Sequence, residues 1–255
     1  MDQVQRAEGA LMGVCVGNAL GEQARNLTEA EIAAGHPDGI KEMYAIDRQR
    51  GDEGELTEEG VFTLLQAFSI AVNERFDADH IKASYRAWVK DAPSWVEKSI
   101  VAALQDAPQL KNESAFALSR LAPLTIHAWG KTQRELLKEV ESECSLTHIS
   151  PLSIDCAKAF ALALSKLLED GYQDAEAMLA WLKTACLKNQ LDERVRLAVD
   201  LSPRRAPKGM IDNPNSALHL CLHTLATTTS FEQGMVLVVA KGGQAGTNAA
   251  LFGAL

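Results

Sequence analysis

Apolar residues recur at three- and four-residue intervals along most of the chain, the spacing that lines one face of an α-helix. The pattern predicts a helix over residues 5–21. Within it Gly9, Gly13, Gly17 and Gly21 occupy every fourth position and so form one ridge. Each glycine costs on the order of 1 kcal/mol against alanine in a helix interior. An offsetting benefit is therefore expected: either a neighbouring helix crosses closely over the ridge, or the backbone there approaches a ligand. Residues 22–56 lack strong periodicity and contain Gly35, Pro37, Gly39, Gly51 and Gly54, so they read as a long functional flap with room for short helices. A second strong helix starts at Thr57, a good N-cap residue, followed by Glu58 and Glu59 at the positive end of the helix dipole. Val61, Leu64, Leu65, Phe68 and Ile70 are expected to form its apolar side.

Further helices are expected at about 79–90, 95–106, 115–128, 132–142, 151–169, 174–188, 192–200, 215–228 and 231–240. The proline-rich segment 202–214 reads as a loop, and the turn at 242–246 leads into a last apolar stretch. No repeat of fixed period and no composition break divides the chain. The expectation is an all-α fold, one compact multi-helix domain over residues 1–255.

Composition narrows the function classes. The chain is 47% hydrophobic but only 5% aromatic, and its apolar content is mostly alanine and leucine, which favours helix over strand. A formal net charge of −9 argues against a binder of nucleic-acid backbones, while leaving room for a local basic pocket. No stretch has the length and apolarity of a membrane span, and the N-terminus lacks the apolar core of a signal peptide. Five scattered cysteines form no disulfide framework, as expected of a cytoplasmic protein.

Four segments carry candidate chemistry. The acidic run 52–59 brings carboxylates and the Thr57 hydroxyl to a helix start, a donor set for a hard cation or simply a solvated loop. His219 and His223 lie four apart on one helical face, a spacing that can hold zinc, but no third ligand accompanies them. His148, in the polar turn before Pro151, is suited either to a ligand or to the loop backbone. The glycines of Gly242-Gly243-Gln244-Ala245-Gly246-Thr247 run into a helix start and can present N–H groups to phosphate, although no P-loop lysine follows. None of the cysteines has a paired base in sequence.

Taken in order, these segments resemble the ADP-ribosylglycohydrolases. The family's first-helix motif is matched by Gly13-Val14-Cys15-Val16-Gly17-Asn18-Ala19-Leu20-Gly21, its early Thr-Asp-Asp-Thr motif by Thr57-Glu58-Glu59-Gly60, and its Met-Arg-x-x-Pro-Leu segment by Ser119-Arg120-Leu121-Ala122-Pro123-Leu124. The Leu-Thr-His turn is Leu146-Thr147-His148, and the late Gly-Gly-Asp-x-Asp-Thr motif is Gly242 to Thr247. The resemblance implies a two-Mg²⁺ cleft that hydrolyses the bond between ADP-ribose and an acceptor, often an arginine side chain. It assigns Glu58 and Glu59 to catalysis, and Thr57, Glu58, Glu59 and Thr247 to metal. Asn18, Arg120, His148, Gly242 and Gly243 become contacts to ADP-ribose or a related nucleotide.

The departures bear on function. Gln244 and Gly246 stand where the family has aspartates, Glu58 and Glu59 lengthen the early pair by a methylene each, Asn18 replaces an aspartate, and Gly60 replaces a threonine. Ala115-Phe116 stands in place of an Asn-Gly element, and the phenylalanine is expected to fill part of the ligand groove. Mg²⁺ demands near-octahedral geometry at about 2.0–2.1 Å, which such changes disturb. The family usually continues beyond the late motif by another helix, so an apolar face covered by a second subunit or a protein partner is expected. The resulting expectation is a binding or interaction protein without dimetal hydrolysis. The alternative is a one-metal hydrolase built on Thr57, Glu58, Glu59 and Thr247.

Overall fold

The computed structural model describes residues 1–44, 52–91, 96–171 and 174–255. Every regular element among them is helical: α1 (Gln3–Gly21), continued by a 3₁₀ turn (Glu22–Ala24), α2 (Glu29–Gly35), α3 (Glu58–Asn73), α4 (Ala78–Lys90) and α5 (Lys98–Leu104). There follow α6 (Phe116–Ser119), α7 (Ala122–His127), α8 (Gln133–Cys144), α9 (Pro151–Asp170) and α10 (Ala175–Lys188). The last four are α11 (Glu193–Leu201), α12 (Pro214–Thr227), α13 (Phe231–Val239) and α14 (Ala245–Gly253). The single helix expected at 115–128 is two short ones, α6 and α7, separated at Arg120 and Leu121. The expected flap contains the 3₁₀ turn and α2, while its residues 45–51 lie outside the described residues.

α9 is the axis of the fold. Ala157 and the run Ala159–Leu164 are essentially inaccessible to solvent, and α1, α6, α7, α8, α10, α11 and α12 all pack against this helix. Its alanine content lets these neighbours approach closely, as suits a helix enclosed by others. A smaller core forms under α3, where Phe62, Ile81, Tyr85, Ile100, Leu104 and Phe116 pack together.

The glycine ridge of α1 is a helix-crossing surface. α14 lies along it: a Cβ built at Gly17 would stand 2.1 Å from the Ala249 carbonyl oxygen, and one at Gly13 would stand 1.9 Å from that of Gly253. Gly9 meets nothing, so the ridge serves packing over three of its four members. This contact brings the C-terminal end of α1 beside the N-terminal end of α14.

α3 corrects the reading of its faces. Leu64 and Phe68 point outward, at 49% and 62% exposure, while Phe62, Thr63, Gln66, Ser69 and Ile70 point in. The inward polar groups are bonded rather than stranded. Gln66 accepts from the Leu124 N–H at 3.0 Å, and Ser69 shares a 2.7 Å bond with His80. No helix among the described residues is long and apolar enough to cross a membrane, and all five cysteines are free.

Candidate functional site

Three chain segments meet at one end of α1. Asn18 sits in its last turns, Thr57, Glu58 and Glu59 open α3, and Thr247 opens α14. All five are buried, with Glu58 at 3% and Glu59 at 1% exposure. Asn18 and Thr57 are bonded reciprocally: the Thr57 N–H donates to Asn18 Oδ1 at 2.9 Å, and Asn18 Nδ2 donates to Thr57 Oγ1 at 2.7 Å. Thr57 therefore stands at the N-cap position, but its hydroxyl caps no backbone N–H and instead donates to Glu59 Oε2 at 2.7 Å. Asn18 Nδ2 reaches the same oxygen at 3.1 Å, and the Thr247 hydroxyl donates to Glu59 Oε1. Glu59 is thus a carboxylate held by neutral donors from three helix ends.

The cation beside it is Arg25, which the sequence reading left inside the flap. Its Nη2 donates to Glu22 Oε1 at 2.6 Å and lies 3.4 Å from Glu59 Oε1, while Nη1 lies 3.7 Å from Glu58 Oε1. Burial works against the guanidinium charge, but Glu59, Glu22 and Glu58 together hold it above its ordinary value. One guanidinium serves three carboxylates, and the excess negative charge emerges as proton affinity. Burial, reinforced by Glu59 and only partly offset by Arg25, pushes Glu58 up to about 8. Burial raises Glu22 to about 7 in the same surroundings. Glu58 is also the least satisfied member, because its buried Oε2 has no hydrogen-bond partner.

The departures from the resembled motifs fit one another in space. A Cβ at Gly246 would stand 1.8 Å from Glu22 Oε1, so the Glu22 carboxyl fills the space a side chain at 246 would need. A Cβ at Gly60 would stand 2.9 Å from Asn18 Oδ1, so the small residue there accommodates the Asn18–Thr57 pair. An amide at 18 donates to Glu59, whereas an aspartate would add a fourth carboxylate to a cluster already short of positive charge. Glu22 and Arg25 stand four residues after Asn18 and Gly21, so the periodicity of α1, extended past its end, is the signal that could have found them.

Two Mg²⁺ ions do not fit this arrangement. Gln244 is neutral and Gly246 has no side chain. A guanidinium already lies within salt-bridge distance of all three acids, where it would repel a divalent ion. Among the described residues no group of three or more His, Cys, Asp and Glu side chains is arranged to hold a metal.

The other expected site residues lie elsewhere. Arg120 is fully buried between α6 and α7, with Nε 2.7 Å from Glu143 Oε1 and Nη2 donating to Thr147 Oγ1 at 2.8 Å. The rings of Phe116, Tyr85 and Phe62 surround its guanidinium at 4.7, 5.5 and 5.9 Å. His148 is also fully buried, bonded to Ser114 Oγ and Thr147 Oγ1 at 2.8 Å each; burial and Arg120 lower its pKa to about 3. Both residues bond protein groups, so neither is open to a ligand in this arrangement. Phe116 packs onto Arg120 instead of projecting into open space.

Gly242 and Gly243 turn the chain into α14, and their N–H groups donate to the carbonyls of Val239 and Leu27. With Asn26 N–H donating to the Gly243 carbonyl at 2.8 Å, this turn clamps the segment that carries Arg25, and neither glycine keeps a free N–H for phosphate. His219 and His223 bond the carbonyls of Arg205 and Ser202, tying down the proline-rich loop in place of binding zinc. Of the acidic run, only Glu58 and Glu59 turn inward, while Asp52, Glu53 and Glu55 are exposed.

Comparison with known proteins agrees with the fold and the family. The family model for ADP-ribosylglycohydrolases matches residues 1–255. A solved structure described as an ADP-ribosylglycohydrolase-related protein complex superposes with a TM-score of 0.86 at 25% identity, covering all of this chain and 87% of the other. A search of curated proteins found no match. The chain belongs to the ADP-ribosylglycohydrolase family.

Proposed function

We propose that this member of the family has lost dimetal hydrolysis and works as a binding or interaction protein. The observation that carries this reading is the Glu22 carboxyl in the space beside Gly246. The late motif supplies no anionic ligand, and the room for one is filled from the end of α1. Two close Mg²⁺ ions need several carboxylates to neutralise them at short range, and here those carboxylates already face a guanidinium. The chemistry left to the site is that of an ion cluster built around Arg25, which orients helices α1, α3 and α14 but supplies no activated water.

The test is a calorimetric titration of ADP-ribose with and without excess Mg²⁺, paired with an assay for release of ADP-ribose from modified arginine. The expected result is no Mg²⁺-dependent release. Mg²⁺-dependent release by the unaltered protein would overturn the reading. Metal-independent binding of ADP-ribose would make the protein a reader of that group, and absence of binding would move the interaction to a protein partner or second copy on the outer surface.

A second reading is favoured by the convergence of Thr57 and Thr247 on the Glu59 carboxylate: a one-metal hydrolase at the same place. It requires turnover that Glu58→Gln abolishes without unfolding the protein. Equal rates for the two proteins would remove it.

A further inference from the structure

The cluster at the end of α1 contains two unmet demands. Glu58 is only 3% exposed, yet its Oε2 bonds nothing, and Arg25 Nε is likewise buried without a partner. A guanidinium is planar and directs its donors in one plane, so it satisfies Glu22 closely while standing 3.7 Å from Glu58. A spherical ion has no such restriction. The neutral oxygens of Thr57 and Thr247 lie against the same carboxylate, Glu59, giving a set of hard oxygen donors of the kind that divalent ions take.

We propose that Arg25 is a tethered substitute for a metal ion: its guanidinium excludes divalent cations from the Glu22–Glu58–Glu59 cluster, and its removal opens that cluster to one hard divalent ion. This deepens the reading of the site as one without dimetal chemistry and rests on it. The segment carrying Arg25 is fixed by the two hydrogen bonds between Asn26, Leu27 and Gly243, so the exclusion is built into the fold. The 27% exposure of the Arg25 side chain leaves a route by which an ion could replace it.

The probe is Mn²⁺ alone, whose free-ion EPR signal falls as it binds. Thermal unfolding of the unaltered protein is expected to be insensitive to millimolar Mn²⁺, with no loss of EPR signal. Arg25→Ala is expected to bind about one ion and to gain about 5 °C in Tm from it. An equal response in both proteins would overturn the proposal, because Arg25 would then exclude nothing. A folded Arg25→Ala protein without a response would overturn it as well. If Arg25→Ala fails to fold, recovery on adding Mn²⁺ supports the proposal; failure in Mn²⁺ while Arg25→Lys folds overturns it, since only a tethered cation would then serve. None of these outcomes depends on hydrolysis, so they separate this inference from the functional reading beneath it.

Discussion

Helix α3 contributes to two buried ion clusters, and they are balanced in different ways. Around Phe62, one turn into the helix, Arg120 and Glu143 pair one to one, with Tyr85 Oη donating to Glu143 at 3.1 Å and three aromatic rings excluding water. At the helix start, one partly buried arginine faces three carboxylates. There the charges balance, although Arg120 Nη1 and Glu143 Oε2 are themselves buried without a hydrogen-bond partner, so it is the charge ratio that distinguishes the two clusters. A cluster with surplus carboxylates retains protons or attracts cations, so the difference separates architecture from a site.

The largest expected effect tests the balanced cluster. Arg120→Ala leaves Glu143 charged and buried without a cation, and should cost about 3–5 kcal/mol in urea unfolding. Replacing the pair together, Arg120→Met with Glu143→Leu, should recover most of that loss, because neither charge then needs compensation. A small effect of the single change would contradict the view that this pair is an internal strut of the fold.

The frame that assembles the unbalanced cluster comes next. Gly17→Ala drives a Cβ into the Ala249 carbonyl and should cost about 1–3 kcal/mol, by overpacking the α1–α14 crossing. Gly9→Ala, on the same ridge but facing open space, should stabilise by about 0.5–1 kcal/mol. Equal effects at the two positions would show that helix propensity, rather than the crossing, governs the ridge. Asn18→Asp should then cost about 2 kcal/mol at pH 8, since it removes donors to Thr57 and Glu59 and adds a like charge.

These residues also mark how far the sequence could be read. The glycine spacing disclosed the α1–α14 crossing, and the order of motifs disclosed which helix starts converge. Helix faces were less legible: α3 turns Thr63, Gln66 and Ser69 inward because partners such as Leu124 N–H and His80 satisfy the last two, and no local periodicity reports those partners. Arg25 and Glu22 were hidden for a related reason. They lie past the last turn of α1, where only its four-residue spacing carried onward points to them, and their relation to Gly246 exists only once α14 is laid on the ridge. Arg120 and His148 show the converse limit, since polar residues in a recognisable motif can be bonded entirely within the core.

The smallest effect is a slope with pH, and its sign follows from the surplus charge. Glu58 and Glu22, raised to about 8 and about 7 mainly by burial, keep protons in the folded protein at pH values where the unfolded chain has lost them. Their contribution is present in full below the ordinary carboxylate range and is lost as pH rises through those folded values. His148 acts in the opposite sense: lowered to about 3, it favours the folded state more as pH rises, but only until the unfolded histidine has titrated near pH 6.5. Between about pH 6.5 and 8 the carboxyls facing Arg25 and Glu59 therefore dominate, and stability should fall by on the order of 1 kcal/mol. Glu58→Gln, which keeps the shape and cannot ionise, should flatten that slope, as read from urea midpoints at the two pH values. A slope unchanged in Glu58→Gln would place the proton uptake outside the cluster and remove the imbalance on which the comparison of the two arginines rests.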